Sequence, residues 1–217
     1  MFQLLRRIAE TALDILAPAR CAGCSALGRL LCEACAGSLL RSDIRRFNAK
    51  PDALPVIALA DYAGVARSVV IALKFRGART FGRRTGALFA RRTDLRSDVI
   101  VPVPLHESRL RERGYNQAAE IGAGIGMVTG ARVLDQAIVR IRATQAQSSL
   151  LRAERGRNVS HSFGFGPKAN ALRGRDVLLV DDVLTTGATA AECAAVISRA
   201  GSTAIRIAVL AVSGRIV

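Results

Sequence analysis

The sequence is poor in several residue types, and each shortage excludes a class of protein. No run of about 20 apolar residues occurs, so no segment is expected to span a membrane. The two histidines, His106 and His161, belong to no pattern of acid and nucleophile, which disfavours histidine-based catalysis. Aromatic residues make up only 4% of the 217 residues, and 17 acids face 32 lysines and arginines. The formal net charge of +15 favours polyanions or phosphorylated ligands as partners.

The N-terminal segment, Met1 to Ala17, has apolar residues at helical spacing, interrupted by charged side chains. A signal-peptide core would not tolerate those charges. The pattern predicts an amphipathic helix that packs on the protein itself or on a partner. We therefore expect a cytoplasmic chain.

Basic residues are concentrated between residues 41 and 92. This segment has 12 lysines and arginines against three acids, and so supplies about +9 of the net charge. Several of the scarce aromatic residues also lie in it, among them Phe47, Tyr62, Phe75 and Phe81. Arginine contacts to phosphates and base stacking on aromatic rings are how proteins bind single-stranded nucleic acid. The segment is therefore either a surface for single-stranded DNA or an ordinary solvated face.

Four of the five cysteines form two C-x2-C pairs, Cys21 with Cys24 and Cys32 with Cys35. Each pair can present two thiolates to one metal ion, and two pairs complete a tetrahedron. Disulfides are disfavoured in a cytoplasmic chain, whereas the spacing does not exclude an iron–sulfur cluster. Because cysteine fills every position, no open site is left for catalysis, and we predict a structural zinc ion. The fifth cysteine, Cys193, is expected to be an inert core thiol facing the sheet.

The most informative stretch of the sequence is Val177 to Thr189. Its aliphatic residues predict a strand covered on both faces, which ends on two adjacent acids, Asp181 and Asp182. A helix is predicted from Gly187 to Ala200 and a further strand from Thr203 to Val212. Such a unit is typical of a parallel sheet, in which ligands bind where strands end and helices begin.

The turn after the two acids has the composition of a phosphate site. Small residues and hydroxyls leave backbone N–H groups accessible at a helix N-terminus, where anions bind. These residues are Thr185, Thr186, Gly187, Ala188 and Thr189. The alternative is a plain helix start capped by Asp182 or Thr185. The whole run resembles the 5-phosphoribosyl-1-pyrophosphate (PRPP) motif of type I phosphoribosyltransferases, in which the acids would hold the vicinal hydroxyls of the ribose.

The middle of the chain has an earlier strand, Asp98 to Leu105, that ends at prolines. The polar, arginine-rich stretch after it, His106 to Asn116, is predicted to be a loop. The next helix contains Gly122, Gly124 and Gly126, which invite a dinucleotide interpretation. We reject it because no strand directly precedes these glycines and no acid follows at the required distance. They are expected to permit close helix packing.

Several short motifs complete the pattern. They are Leu73-Lys74-Phe75-Arg76-Gly77, Val101-Pro102-Val103-Pro104-Leu105, Arg113-Gly114-Tyr115-Asn116-Gln117, Arg142-x-Thr144-x-x-Gln147 and Arg155-x-x-Asn158-Val159. Together with the cysteine pairs and the PRPP motif, their order and spacing resemble the ComF family, the competence-associated phosphoribosyltransferase-like proteins of bacteria. Tyr115 is a mild departure, since the family often has Phe there.

The resemblance implies a type I phosphoribosyltransferase fold, a mainly parallel sheet flanked by helices, over residues 51–217. It implies an N-terminal helix and zinc-finger subdomain over residues 1–50. Catalysis would fall to Asp181 and Asp182, and PRPP would bind with Mg²⁺. A pyrophosphate loop would comprise Val103, Pro104, Arg113 and Gly114. A hood that closes over the substrate would comprise Arg142, Thr144, Gln147, Arg155 and Asn158.

The predicted function is transfer of phosphoribosyl from PRPP to an acceptor, in the uptake or use of external DNA. The expected partners are PRPP, single-stranded DNA, and competence or DNA-processing proteins. Two alternatives stay open. One is a non-catalytic module that senses PRPP or binds single-stranded DNA, and the other is a nucleobase salvage phosphoribosyltransferase.

Overall fold

The computed structural model describes residues 19–49, 54–75, 79–141 and 162–214. Two expectations lie outside these residues. One is the N-terminal amphipathic helix, and the other is the hood with Arg142, Thr144, Gln147, Arg155 and Asn158. Within the described ranges, no helix has both the length and the apolar character needed to cross a membrane.

The described residues form eight strands and six α-helices. The strands are β1 (Arg45–Ala49), β2 (Leu54–Asp61), β3 (Val99–Pro102), β4 (Arg132–Val133), β5 (Ile138–Arg140), β6 (Phe163–Phe165), β7 (Asp176–Leu184) and β8 (Ala204–Val212). The helices are α1 (Glu33–Arg41), α2 (Gly64–Phe75), α3 (Arg79–Arg92), α4 (Glu107–Arg113), α5 (Gln117–Thr129) and α6 (Ala188–Arg199), with a 3₁₀ turn at Ala169–Leu172.

Six of these strands form one sheet in the order β1-β2-β8-β7-β3-β4. All neighbouring pairs are parallel except β1 with β2. β5 and β6 form a separate antiparallel pair. The predicted α/β class with a mainly parallel sheet is confirmed, and so is the strand–helix–strand unit of β7, α6 and β8.

β7 lies inside the sheet between β3 and β8, which is why its sequence is aliphatic without alternation. Val177 and Leu179 pack into the core on the side of α6, where Cys193 is fully buried as predicted. Leu178 and Val180 pack into the opposite core, beneath α2, α3 and α5. Because both faces of β7 are covered, each of these four positions must be apolar. The strand does not end on Asp181 and Asp182 as predicted, since its pairing with β8 continues to Leu184.

The helices α3 and α5 cross in close contact at glycines. A Cβ atom on Gly86 would run into the carbonyl oxygen of Ile121, and one on Gly124 into the carbonyl oxygen of Arg83. Neither carbonyl can move without disturbing a helix backbone. The prediction that the glycines of α5 permit close helix packing is confirmed for Gly124.

The stretch from His106 to Asn116, predicted to be a loop, contains the helix α4. The prediction was wrong because the stretch carries its own start and stop signals. The His106 ring accepts a hydrogen bond from the backbone N–H of Ser108 at 3.2 Å. Gly114 adopts a left-handed conformation with φ of 73°, and its N–H donates to the Leu110 carbonyl at 2.8 Å. The polar surface reflects an exposed helix, not an irregular segment.

The described N-terminal residues pack directly on the sheet-forming part of the chain. α1 buries Leu39 in the core beneath α2 and α3. Arg92 of α3 donates to the carbonyl oxygens of Leu39 at 3.1 Å and Ser42 at 2.6 Å. β1 precedes the predicted domain boundary at residue 50 and yet pairs with β2 along its whole length. The main sheet therefore begins before that boundary.

Candidate active site and metal centre

A cavity of about 280 Å³ opens at the carboxyl ends of the parallel strands. It brings together residues from β7, the start of α6, the turn after β3, α2, α4 and β5. Nearly all of the described residues predicted to bind PRPP or pyrophosphate line it: Asp181, Asp182, Thr185, Thr186, Gly187, Ala188, Thr189, Val103, Pro104 and Arg113. Gly114 is the exception. It caps α4 and lines a neighbouring cavity of about 580 Å³.

The turn between β7 and α6 leaves the start of the helix open. Gly187 occupies the N-cap position in a left-handed conformation, with φ of 81°, and no side chain caps the helix. The Ala188 N–H has only a long contact of 3.4 Å to the Thr186 hydroxyl. The alternative of a helix capped by Asp182 or Thr185 is therefore not what the structure shows. Uncapped N–H groups at the positive end of a 12-residue helix suit a phosphate group.

Asp182 is buried and forms an ion pair across the cavity wall. Its Oδ2 lies 3.0 Å from Nζ of Lys74, at the C-terminal end of α2. The Asp182 side chain is 11% exposed and the Lys74 side chain 29%. The ion pair links β7 to the C-terminal end of α2. It neutralises the negative charge of one of the two acids.

Asp181 has a different environment. Its Oδ1 accepts a hydrogen bond from the Asp182 N–H at 2.8 Å. Burial, reinforced by the negative charge of Asp182, raises the pKa of Asp181 to about 7, although the same hydrogen bond and the charges of Lys74 and Arg140 oppose the shift. A carboxyl group with a pKa near neutrality can exchange a proton with a ligand at physiological pH.

Three arginines bring positive charge to the cavity from two further elements. Arg109 and Arg113 lie one turn apart on α4, and Arg140 ends β5. Burial and the nearby charge of Arg109 lower the pKa of Arg140, while Asp181 and other acidic groups oppose this shift. The Arg140 guanidinium also lies 5.3 Å from the ring centroid of Phe163. Cations held close to one another at the cavity are a favourable arrangement for a polyanionic ligand.

Asn116 fixes the turn after β3 to the start of α5. Its Oδ1 accepts a hydrogen bond from the Ala118 N–H at 3.0 Å, and its Nδ2 donates to the Val103 carbonyl at 3.0 Å. Arg113 donates to Oε1 of Gln117 at 3.2 Å. These bonds hold the predicted pyrophosphate loop against the start of α5, which in turn packs closely on α3.

Glu192 supports the junction between α6 and the strands β5 and β6. Its Oε1 accepts a hydrogen bond from the Ser162 N–H at 2.6 Å, and its charge acts on Arg140. The Ile141 N–H donates to the Ser162 carbonyl at 2.8 Å. The residues that flank the predicted hood in sequence are thus joined to each other and to α6.

The four cysteines Cys21, Cys24, Cys32 and Cys35 lie together, with all sulfur atoms within 4.8 Å of one another. We call this group the four-cysteine cluster. All four are free thiols in the structure. Zinc–sulfur bonds of 2.3 Å imply sulfur–sulfur edges of about 3.8 Å in a tetrahedron. The observed separation between the sulfurs of Cys24 and Cys32 is 3.6 Å. The donors therefore fit a tetrahedral metal ion.

Hydrogen bonds to sulfur also favour the thiolate form that binds a metal ion. The Cys32 N–H donates to Sγ of Cys21 at 3.4 Å. Burial alone would raise the pKa of Cys21, but backbone N–H groups of Cys32, Cys24 and Gly23 outweigh it and lower the pKa to about 6. The pKa of Cys35 is raised by burial and by the neighbouring thiols. Crowded thiols that oppose one another's ionisation are stabilised when a cation binds among them.

The chain is similar to several known proteins. The family model described as "Phosphoribosyl transferase domain" matches residues 124–215, which include β7, α6 and the turn between them. The DNA utilization protein YhgH of Escherichia coli strain K12 is 29% identical over 198 residues, covering 86% of this chain and 86% of that protein. Competence protein F of Haemophilus influenzae is 32% identical over 110 residues, or 51% of this chain and 48% of that protein.

These matches bear out the predicted resemblance to the ComF family of phosphoribosyltransferase-like proteins. The predicted type I phosphoribosyltransferase fold is confirmed. Among solved structures, the chain is similar to the glutamine PRPP amidotransferase of B. subtilis, with 16% identity and a TM-score of 0.41, over 59% of this chain and 25% of that one. A likeness this distant says nothing about what this chain binds.

Four side chains in or beside the site were not predicted from the sequence. Lys74 belongs to a motif that supported the family resemblance, but its pairing with Asp182 could not be seen from the sequence. Arg109 lies in the stretch predicted to be a loop, where no sequence pattern distinguishes it from Arg111 and Arg113. Arg140 and Glu192 carry no sequence signal, because only the packing of α6 against β5 and β6 brings Arg140 to the cavity and Glu192 near Arg140.

Proposed function

We propose that this chain binds PRPP with Mg²⁺ in the cavity and transfers the phosphoribosyl group to an acceptor. The observation that carries the proposal is the combination of two acids and an uncapped helix start in one cavity. The uncapped N–H groups suit a 5′-phosphate, and the acids suit ribose hydroxyls. Neither feature alone is specific, but a sugar phosphate satisfies both at once.

The positive side of the cavity accounts for the other end of the ligand. Arg109, Arg113 and Arg140 line it together with the turn at Val103 and Pro104. A departing pyrophosphate would be held by these cations. As pyrophosphate leaves, positive charge develops at C1 of the ribose, and the carboxylates of Asp181 and Asp182 would stabilise it. With a pKa near 7, Asp181 can also accept a proton from the acceptor.

The cavity fits Mg²⁺ as well as PRPP. Magnesium prefers oxygen ligands and keeps several of its waters. Among the described residues, Asp181 and Asp182 are the only carboxylates that line the cavity, and they would hold the ion through its waters and the ribose hydroxyls. When bound, Mg²⁺ neutralises charge on the pyrophosphate and so makes it a better leaving group.

The decisive experiment is pyrophosphate release from PRPP in the presence of Mg²⁺, with a panel of nucleobases and single-stranded DNA as acceptors. Wild-type protein should release pyrophosphate with at least one acceptor, and the Asp181→Asn variant should not. Asp94→Asn is the matched control, because Asp94 is highly exposed and lies outside the cavity. PRPP binding by calorimetry without release would point to a PRPP-sensing module. Release with free nucleobases alone would point to salvage.

We also propose a role in the uptake or use of DNA, through contact with single-stranded DNA and with competence or DNA-processing proteins. Both relatives described above bear names that refer to competence or to DNA utilization. On the basic segment, Arg46, Arg84 and Arg91 are exposed and have no ion pair among the described residues. Arg45 and Arg83 are instead paired with acids and contribute less free charge.

We propose that the four-cysteine cluster holds one structural zinc ion. The sulfur separations and the N–H···S bond described above support it, and the absence of a non-cysteine position supports a structural role. A chain with free thiols at these positions is also consistent with the cytoplasmic location that we propose.

A further inference from the structure

Phe75 is an anomaly among the aromatic residues of this chain. Of the five aromatic residues in the basic segment, Phe81 and Phe89 are buried, and Phe47 and Tyr62 are partly buried. Phe75 is 72% exposed, the highest exposure of any described aromatic residue. A chain with so few aromatic rings leaves one of them in solvent beside a ligand cavity, and packing does not explain it.

The position of Phe75 is well defined by its neighbours. It ends α2, directly after Lys74, which lines the cavity and pairs with Asp182. The Tyr115 hydroxyl donates to the Leu73 carbonyl, which holds this end of α2 against the start of α5. The Arg113 guanidinium lies 5.8 Å from the centroid of the Phe75 ring and lines the same cavity as Lys74. The ring therefore stands at the rim of the candidate active site.

The surroundings of the ring are positively charged. Arg79 donates to the Gly114 carbonyl, which places it next to Arg113. Arg79, Arg109 and Arg113 form no ion pair with any described residue. The acids on the adjoining helix surfaces are largely neutralised, since Glu107 pairs with Arg111 and Glu120 with Arg83. Only Glu112 of α4 keeps an uncompensated charge.

An exposed ring flanked by uncompensated arginines matches the chemistry of a single-stranded nucleic acid. Base stacking on an aromatic face supplies affinity without sequence preference, and arginines contact the phosphates on either side. A protein partner would also cover an exposed ring, but it would not require unpaired arginines beside that ring. Charge complementarity therefore favours the nucleic acid.

We propose that Phe75, with Arg79 and Arg113, forms a subsite that stacks one base of single-stranded DNA at the rim of the PRPP cavity. The inference rests on the proposed DNA role and adds the location of the strand. A base held there lies beside the site at which PRPP would react. The DNA-binding surface and the phosphoribosyl site then meet along one edge.

The test compares Phe75→Leu with Phe165→Leu in binding to a fluorescent oligothymidine and to an abasic oligonucleotide of the same length. Phe165 is a matched control because it is also exposed, at 54%, and belongs to β6, which does not line the cavity. We expect Phe75→Leu to weaken oligothymidine binding by roughly 5- to 150-fold, the range for one base stacked on an aromatic ring. Its affinity for the abasic strand should stay at the wild-type value, because that strand has phosphates but no bases. Phe165→Leu should change neither affinity.

Three results would overturn the proposal. One is an unchanged oligothymidine affinity in Phe75→Leu, and another is an equal loss on the abasic strand, which would mean that Phe75 acts by positioning arginines. The third is Phe75-dependent binding of free thymine when the oligonucleotide does not bind, since the subsite would then take free bases. Calorimetry of PRPP with the wild-type protein tests the cavity separately. A failure of stacking and a failure of the phosphoribosyl site are therefore distinguishable.

Discussion

Asp181→Asn and Asp182→Asn should both weaken PRPP binding, yet they should change the stability of the protein in opposite directions. Each substitution removes a charge-assisted hydrogen bond to a ribose hydroxyl. Such bonds contribute about 1.5–3 kcal/mol, so each variant should bind PRPP roughly 10- to 150-fold more weakly. Calorimetry with PRPP and Mg²⁺ measures this directly.

The stability of Asp182→Asn should fall because Lys74 loses its partner at 3.0 Å. The Lys74 side chain is 29% exposed and can recover some hydration, so the loss should lie near the lower end of the range for charged hydrogen bonds, about 1.5 kcal/mol. Urea unfolding of the protein without ligand is the appropriate measurement, and Asp94→Asn again serves as the control.

Asp181→Asn should behave differently because the folded protein disfavours the ionised form of Asp181. Burial and the charge of Asp182 raise the pKa of Asp181 from 3.8 to about 7. The folded state therefore binds the proton more tightly than the unfolded chain does. The stabilisation that comes from this tighter proton binding is fully present below 3.8, the pKa of Asp181 in the unfolded chain, and is lost as the pH rises towards 7. The wild-type protein should lose at most about 1.4 kcal/mol per pH unit in this window, and the variant should lack that slope.

Two results would refute the roles assigned to Asp181 and Asp182. If both asparagine variants change the unfolding free energy with the same sign at about pH 8, the different environments assigned to the two carboxyl groups are wrong. If either variant keeps wild-type affinity for PRPP, that acid does not hold the ribose. A wild-type stability that is flat between about pH 4 and about pH 7 would also contradict the raised pKa of Asp181.

The remaining predictions concern the other sites. Elemental analysis of anaerobically purified protein should find one zinc per chain, unchanged in Cys193→Ala; iron with sulfide would refute the zinc assignment. The triple variant Arg46→Ser, Arg84→Ser and Arg91→Ser should flatten the slope of log affinity against log salt for single-stranded DNA by up to about 2; identical slopes would make these arginines an ordinary solvated face. Arg140→Gln should weaken PRPP binding in calorimetry, whereas unchanged affinity would show that Arg140 only packs against Phe163.

The part of the site that could be predicted from the sequence is local in the chain. Asp181, Asp182 and the turn from Thr185 to Thr189 are contiguous, so the order of strand, acids, small turn and helix already specified their arrangement. The four-cysteine cluster is also local, and regular spacing was enough to predict it. The helix α4 was missed because its charged residues resemble a loop, although its caps at His106 and Gly114 were present in the sequence.

The rest depends on contacts between distant segments. Lys74 meets Asp182, 108 positions later, only because α2 and β7 pack against the same core. Arg140 acquires its role from the packing of β5 and β6 against α6, and no periodicity reveals it. The role proposed for Phe75 could not be predicted from the sequence either, because the exposure of its ring depends on how the chain folds. Sequence patterns predict elements, whereas the partners of a side chain follow from how those elements pack.

The glycine crossing of α3 and α5 has a consequence for genetics. Gly86 and Gly124 touch no ligand, yet nearly any substitution there would force two helix backbones apart and displace the start of α5, where Asn116 and Gln117 meet the cavity. In a screen of random mutations for loss of function, these positions would score as strongly as the acids of the site. Thermal melting would separate the two classes: glycine variants should lose the fold together with the function, and variants of the site should lose the function alone.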